Sequence, residues 1–208
     1  MTLPRVTILI ANYNDEEYLD RSIESAINQN YVGPLQICIV DDGSVDGSWK
    51  IIEQYIEDPI KETFMNLDVI SSKNLVGRFG NTKTIAIKNE NTGPSEARNI
   101  PVFQRGDEMI GVVYADYDTL HVNTGKIIRE YKEPFNRKRL VSECIVHSGS
   151  LISKKALEEV LEETGYYDKT MRTCEDYDLW MRISEKFIIA HVPKALTRVR
   201  VTGDNSSF

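Results

Sequence analysis

Within about its first sixty residues the chain switches three times between two hydrophobic periods. Val6-Thr-Ile-Leu-Ile10 is a β-branched run that stops at Ala11-Asn-Tyr-Asn14, a group of turn formers and capping side chains. From Asp15 the apolar positions become Tyr18, Leu19, Ile23, Ala26 and Ile27, a helical spacing that lasts to about Asn28. Asp15, Glu16 and Glu17 fall in its first turn, where the helix dipole favours acids. Leu35-Gln-Ile-Cys-Ile-Val40 is again strand-like and ends at Asp41-Asp-Gly-Ser44; Asp46 then caps a second helix from Ser48 to Glu57. Strand, helix, strand, helix leaves few folds open. Parallel strands need crossovers, the crossovers are right-handed, and the product is an α/β sheet covered by helices. Ligands of such sheets bind at the carboxyl ends of the strands, where both loops sit.

A length of 208 residues suits one α/β domain, and 41% apolar with 27% charged residues is an ordinary globular balance. The net charge of −7 argues against a broad nucleic-acid footprint, so any phosphate must be held locally, by backbone N–H groups, a metal ion or a few placed cations. Cys38, Cys144 and Cys174 lie far apart with no histidine at zinc spacing, and are expected to be reduced, mostly buried thiols. No apolar run approaches the ~18 residues of a membrane span, which makes a cytoplasmic protein the expectation.

Further along, Val69-Ile70 and Thr84-Ile-Ala-Ile87 look like strand pieces around a turn at Gly77-Arg-Phe-Gly80-Asn81, and Asn91 to Arg98 is a helix start cut short by Pro101. Met109 to Tyr114 reads as a buried strand ending at Ala115-Asp-Tyr-Asp118. Helices are expected over Lys154–Glu163 and Asp176–Lys186, and late strands over Phe187–Ala190 and Ala195–Val201.

Four acidic or amide-bearing clusters fall at element ends. Asn12-Tyr13-Asn14 with Asp15 is a turn and helix cap, and equally a place where Tyr13 can stack on a base or ribose. Asp41-Asp42-Gly43-Ser44 is a strand-ending turn whose carboxylates can accept from a nucleobase N–H or ribose hydroxyls. Asp42, Ser44, Asp46, Gly47 and Glu53 also match positions 1, 3, 5, 6 and 12 of a calcium loop, but that motif needs an entering helix and a strand precedes it here. Asp116-Tyr-Asp118 is a polar strand end or a pair of carboxylates for Mg²⁺ or Mn²⁺. Glu175-Asp176-Tyr-Asp178 is either a set of dipole-favouring acids or, in a cleft, a source of the base that takes a proton from a hydroxyl nucleophile.

Val6 to Asn14, Ile39-Val-Asp-Asp-Gly-Ser-Val-Asp46, Gly93-Pro-Ser-Glu-Ala-Arg-Asn99 and Glu175-Asp-Tyr-Asp-Leu-Trp-Met-Arg182, in that order, resemble the family 2 glycosyltransferases of the GT-A fold. The resemblance implies a mostly parallel Rossmann-like sheet in one domain over residues 1–208, nucleotide-binding to about 118 and acceptor-binding from about 119. It implies an inverting transfer of a hexose from a UDP- or GDP-linked sugar to a hydroxyl on a glycan, lipid-linked or other acceptor. Ala11, Asn12, Tyr13, Asp41 and Asp42 would surround the nucleotide, Arg98 would lie near its diphosphate, Asp176 would be the base with Glu175 beside it, and Asp116 and Asp118 would hold Mn²⁺ or Mg²⁺. His147-Ser-Gly-Ser150 would border the acceptor pocket, or serve structure alone.

The chain also departs from the family pattern. Asn99-Ile-Pro101 stands where a glycine and a longer helix are usual, and Thr202 where a histidine is common. Gly111 to Asp118 followed by Gly125-Lys126 equally resembles a later strand and hairpin of longer members, an alignment on which the metal motif is absent. A nucleotide-sugar-binding module without its metal site or turnover is the alternative reading.

Overall fold

Strand β1 (Val6–Asn12) is followed by helix α1 (Glu16–Ile27), β2 (Leu35–Asp41) and α2 (Ser48–Gln54), the order expected from the alternating periods. The structure, a computed structural model, describes residues 3–56, 73–79, 82–88, 110–147, 149–161 and 165–202. It falls into two compact units, residues 1–104 and 105–208.

In the first unit β1, β2, β4 (Thr82–Lys88) and β3 (Lys73–Phe79) form one sheet in the order β1-β2-β4-β3. β1 and β4 both run parallel to β2, with Val6 beside Leu35 and Asn12 beside Asp41 at the two ends of the first ladder. β3 runs antiparallel to β4, and Gly77 lies inside β3 rather than in a turn. β2 is buried from Gln36 to Asp41, which explains its unbroken apolar run. Leu19, Ile23 and Ala26 of α1 and Trp49 and Ile52 of α2 pack with Ile37, Ile39 and Ala86 of the sheet. α2 ends at Gln54, three residues before the expected Glu57. Val69-Ile70 and the helix start at Asn91–Arg98 lie outside the described residues.

In the second unit the central strand is β5 (Ile110–His121), flanked on one side by β6 (Lys126–Glu130) and β7 (Leu151–Ile152), both antiparallel to it, and on the other by β8 (Ile188–Val201), parallel to it. β8 is one strand of 14 residues where two were expected. The ladder slips past Pro193, Lys194 and Leu196, since Ala115 pairs with Val192, Asp116 with Ala195 and Tyr117 with Thr197. Proline has no N–H to give a ladder, so a bulge accommodates it. Helices α3 (Arg137–Ser142), α4 (Lys154–Glu159) and α5 (Glu175–Lys186) complete the unit. Leu179, Trp180 and Ile183 of α5 pack with Val112 and Tyr114 of β5, Leu140 and Ile189.

β5 does not stop before Asp116 and Asp118; it continues to His121 because β6 and β8 supply hydrogen-bonding partners through that stretch. Of the free cysteines only Cys38 is buried, its thiol pushed up to about 12 by burial, while Cys144 and Cys174 are exposed.

Candidate functional site

The parallel ladder places Asn12 against Asp41 at the carboxyl ends of β1 and β2. Asn12 Nδ2 donates to Asp41 Oδ1 at 2.7 Å and to Ser44 Oγ at 3.0 Å, and Ser44 Oγ donates to the same Asp41 Oδ1 at 2.5 Å. Ser44 Oγ also accepts from the Asn14 amide at 2.8 Å, while the Asn14 side chain accepts from the Val45 amide at 2.8 Å. Asn14 has φ 53°, a left-handed conformation that asparagine tolerates. The loop after β1 is thus bolted to the loop after β2 through one hydroxyl and one carboxamide.

That network leaves two acceptors over. Asn12 Oδ1 and Asp41 Oδ2 are buried and have no hydrogen-bond partner among the described residues. Leaving such groups unmatched costs about 1–3 kcal/mol each, so a donor arriving from outside is strongly favoured. Asp42 is buried beside them, its amide donating to Asn12 O at 2.8 Å. Tyr13, 47% exposed, offers a ring to solvent, and Ala11 is exposed. The calcium-loop spacing is not used as such. A strand enters it, Asp46 accepts from the amides of Glu16 and Ser48 at 3.0 Å each, and Glu53 accepts from Trp49 Nε1 at 2.8 Å.

In the second unit Glu175, Asp176 and Asp178 form the first turn of α5. Glu175 is buried; Asp176 is half-buried, its Oδ1 accepting from the Tyr177 amide at 2.8 Å. The turn is fastened from both sides. The Tyr177 hydroxyl donates to the Leu140 carbonyl, and Arg182 reaches Asp178 Oδ2 at 2.9 Å, the Val160 carbonyl at 2.7 Å and the Tyr166 carbonyl at 2.6 Å. Lys132 and Asp176 both lie close enough for their charges to act on Cys144 and His147. His147 stacks at a tilt on Tyr117 with ring centroids 5.0 Å apart, and Lys132 Nζ lies 5.4 Å from the Tyr117 ring.

Asp116 and Asp118 also belong to the second unit, where their carboxylates are already matched. Asp116 Oδ1 accepts from the Lys132 amide and from His191 Nε2, each at 2.9 Å, and its side chain is 5% exposed. Asp118 Oδ1 lies 2.6 Å from Arg129 Nε and its Oδ2 3.5 Å from an Arg198 nitrogen. The Lys132 amide together with His191 holds Asp116 below the usual carboxylate range, and the Arg129 and Arg198 guanidinium groups do the same for Asp118. A divalent cation at Asp118 would have to displace or face two guanidinium charges, so these residues as arranged do not fit it. Among the described residues no group of three or more His, Cys, Asp or Glu gathers at metal-binding distance. Arg98 lies outside the described residues.

The family model for glycosyl transferase family 2 matches residues 7–102. That segment belongs to glycosyl transferase family 2. Over its whole length the chain is similar to larger proteins. It is 25% identical over 218 residues to the chondroitin synthase of Escherichia coli, an alignment covering 99% of this chain and 30% of the synthase. The crystal structure of S. aureus TarS 1–349 has the same fold, with TM-score 0.62, 16% identity, 95% of this chain covered and 60% of that one. A complex of TarS 1–349 with UDP matches with TM-score 0.60 and 15% identity over 96% of this chain and 61% of that one. The chain therefore spans about a third of the synthase and three fifths of TarS 1–349. The α/β GT-A fold expected from the motifs is borne out, and the family expected from them is matched over residues 7–102.

Sequence reasoning missed the partners. Ser44 and Asn14 both stand inside the sequence motifs, but their role as bolts depends on the β1–β2 register. Arg129, His191 and Arg198 reach the two aspartates only across strands, and no local signal marks them.

Proposed function

We propose that this chain is a glycosyltransferase that moves a sugar from a nucleotide diphosphate sugar to a hydroxyl acceptor with inversion at the anomeric carbon. The observation that carries the reading is the pair of buried, unmatched acceptors, Asn12 Oδ1 and Asp41 Oδ2, at the strand ends of a family 2 segment. A nucleobase presents N–H donors of the kind they lack, and Tyr13 supplies an aromatic face for it. The UDP held by a protein of the same fold supports a uridine nucleotide as the first donor to test.

In this reading Asp176 is the base. Its carboxylate takes the proton of the acceptor hydroxyl as that oxygen bonds to the anomeric carbon, the bond to the diphosphate oxygen breaks, and the nucleotide diphosphate leaves with the electron pair. Arg98 is assigned to the diphosphate by the resemblance alone. Mn²⁺ or Mg²⁺ is the cofactor the resemblance suggests, but Asp116 is already matched by the Lys132 amide and His191, and Asp118 by Arg129 and Arg198. The same pairing favours a second reading, a nucleotide-sugar-binding module without turnover.

Calorimetric titration with UDP and GDP, each with and without Mn²⁺, tests the donor half; binding of neither nucleotide would remove it. Asp176→Asn tests the chemical half. Loss of transfer by ~10²-fold or more with donor affinity retained is expected. Undiminished turnover would dismiss Asp176 as the base, and donor binding without transfer in the unaltered chain would select the module.

A further inference from the structure

Both nitrogens of the His147 imidazole are engaged by main chain. Nε2 lies 3.0 Å from the Ala115 carbonyl oxygen, and Nδ1 lies 3.0 Å from the Gly149 amide nitrogen. A carbonyl only accepts and an amide N–H only donates, so the proton sits on Nε2 and a lone pair on Nδ1. A charged ring would set one N–H against another at Gly149. Position 149 is shaped for this contact, since a Cβ there would fall 2.9 Å and 3.0 Å from Cε1 and Nδ1 of the ring. The Ser150 hydroxyl closes the turn onto the His147 carbonyl at 2.5 Å.

The surroundings set what charging the ring would do. β5 contributes the Ala115 carbonyl and the Tyr117 ring, the segment after β6 contributes the Lys132 ammonium, α5 contributes the Asp176 carboxylate, and the Thr197 methyl of β8 lies against Gly149. Burial pushes the imidazole down, the Ala115 carbonyl pulls it up, Lys132 pushes down and Asp176 pulls up, with a net position below the ordinary histidine range. The neutral form is therefore the one present at neutral pH.

We propose that His147, as the neutral ring protonated on Nε2, is a positioning residue for transfer: it ties the Gly149–Ser150 turn to β5 near Asp176, and acid that charges the ring releases the turn and misaligns the acceptor. The inference deepens the acceptor side of the proposed transferase and rests on that reading. In this role His147 acts through its main-chain partners Ala115 and Gly149. Its loss shows in acceptor kcat/KM and in the pH profile, while donor affinity stays as it was.

Two measurements on the full chain test it. Nitrogen-15 spectra should give an Nδ1 that is unprotonated and accepts from Gly149 at pH 7, with exchange of the Gly149 amide accelerating as acid charges the ring. In transfer assays His147→Ala should lower acceptor kcat/KM by ~10–100-fold, because misalignment by about an ångström costs up to ~10²-fold, with UDP affinity unchanged. His147→Asn keeps an uncharged acceptor for the Gly149 amide, so it should recover part of that loss and remove the acid limb that sets in below about pH 6.5 in the unaltered chain. A proton on Nδ1, a charged ring at pH 7, or a His147→Asn profile with the original acid limb would overturn the proposal. If the unaltered chain transfers no sugar, the transferase reading falls and the aligning role with it. The spectra then decide whether the tie itself exists.

Discussion

Asp116 and Asp118 carry the same pair of carboxylates whether they hold a metal or three strands, and their neighbours decide which. Two residues apart on one strand, they can share a face, which is all that an Asp-x-Asp spacing guarantees. The partners Arg129, His191 and Arg198 come from β6 and β8, and the slip of β8 past Pro193 and Leu196 is what brings Arg198 opposite Asp118. Nothing within a few residues of Asp116 announces any of this, because each of these partners arrives across a strand. The structural role makes its own prediction. A carboxyl whose folded-state pKa is depressed stabilises the fold above its unfolded value near ~3.9, and that stability is lost as pH falls through the lower folded value. Asp118→Asn should thus lower urea stability at pH 7, approach the unaltered chain below about pH 4, and leave calorimetric Mn²⁺ binding as it was. A large loss of Mn²⁺ affinity without a loss of stability would return Asp118 to the metal.

Elements were legible where their period was strong and their ends carried caps. β1, α1, β2 and α5 all lie within two residues of expectation, because β-branched runs, acidic first turns and amphipathic spacing agree at each. β5 and β8 run longer than their apolar stretches predict, for a shared reason. Both lose their apolar signal, at Asp116 and at Pro193, while the ladder continues on backbone hydrogen bonds. α3, a six-residue helix, begins at an Asn136 cap whose side chain accepts from the amides of Lys138 and Arg139, a local signal present in the sequence and passed over. β5 approaches the end of α5 closely at Gly111, where a Cβ would come within 2.6 Å of Phe187 Cβ and 2.8 Å of Ile183 Cγ2. Gly111→Ala gains ~0.4–1 kcal/mol by restricting the unfolded chain. Overpacking costs ~1–3 kcal/mol, and since both contacts sit on the α5 side where β5 carries the core, the cost wins. Urea unfolding should show a net loss of about 1–2 kcal/mol; a more stable variant would mean that α5 can move away freely.

For the whole chain, the two units place their acid-sensitive groups unequally, and the two tryptophans report on them separately. Trp49 belongs to the core of the first unit and Trp180 to that of the second. In the second unit the shifts of Asp116, Asp118 and His147 act in one direction. Asp116 and Asp118 are held low, by the Lys132 amide and Arg129 first of all, and His147 is held low chiefly by burial. A histidine with a lowered folded pKa binds fewer protons folded than unfolded, so it adds stability above ~6.5 that is lost as pH falls from there to the folded value. The aspartates add a second loss below about pH 4. In the first unit the shifts oppose each other. Burial and the Asp46 charge raise Asp15, while Asp46, against a burial that pushes it up, is drawn down by Ser48 and the Glu16 amide. Trp49→Phe and Trp180→Phe variants, each leaving one reporter, should then give different acid profiles under mild urea. The Trp180 signal should weaken in two stages, from about pH 6.5 and again below about pH 4, with the Trp49 signal flatter over the first stage. Saturating UDP adds the converse test, because a ligand at 100 times its Kd stabilises what it binds by ~2.7 kcal/mol. If Asn12, Asp41 and Tyr13 hold the nucleotide, the Trp49 transition moves to higher urea. A shift confined to Trp180 would put the nucleotide on the other unit and overturn that assignment.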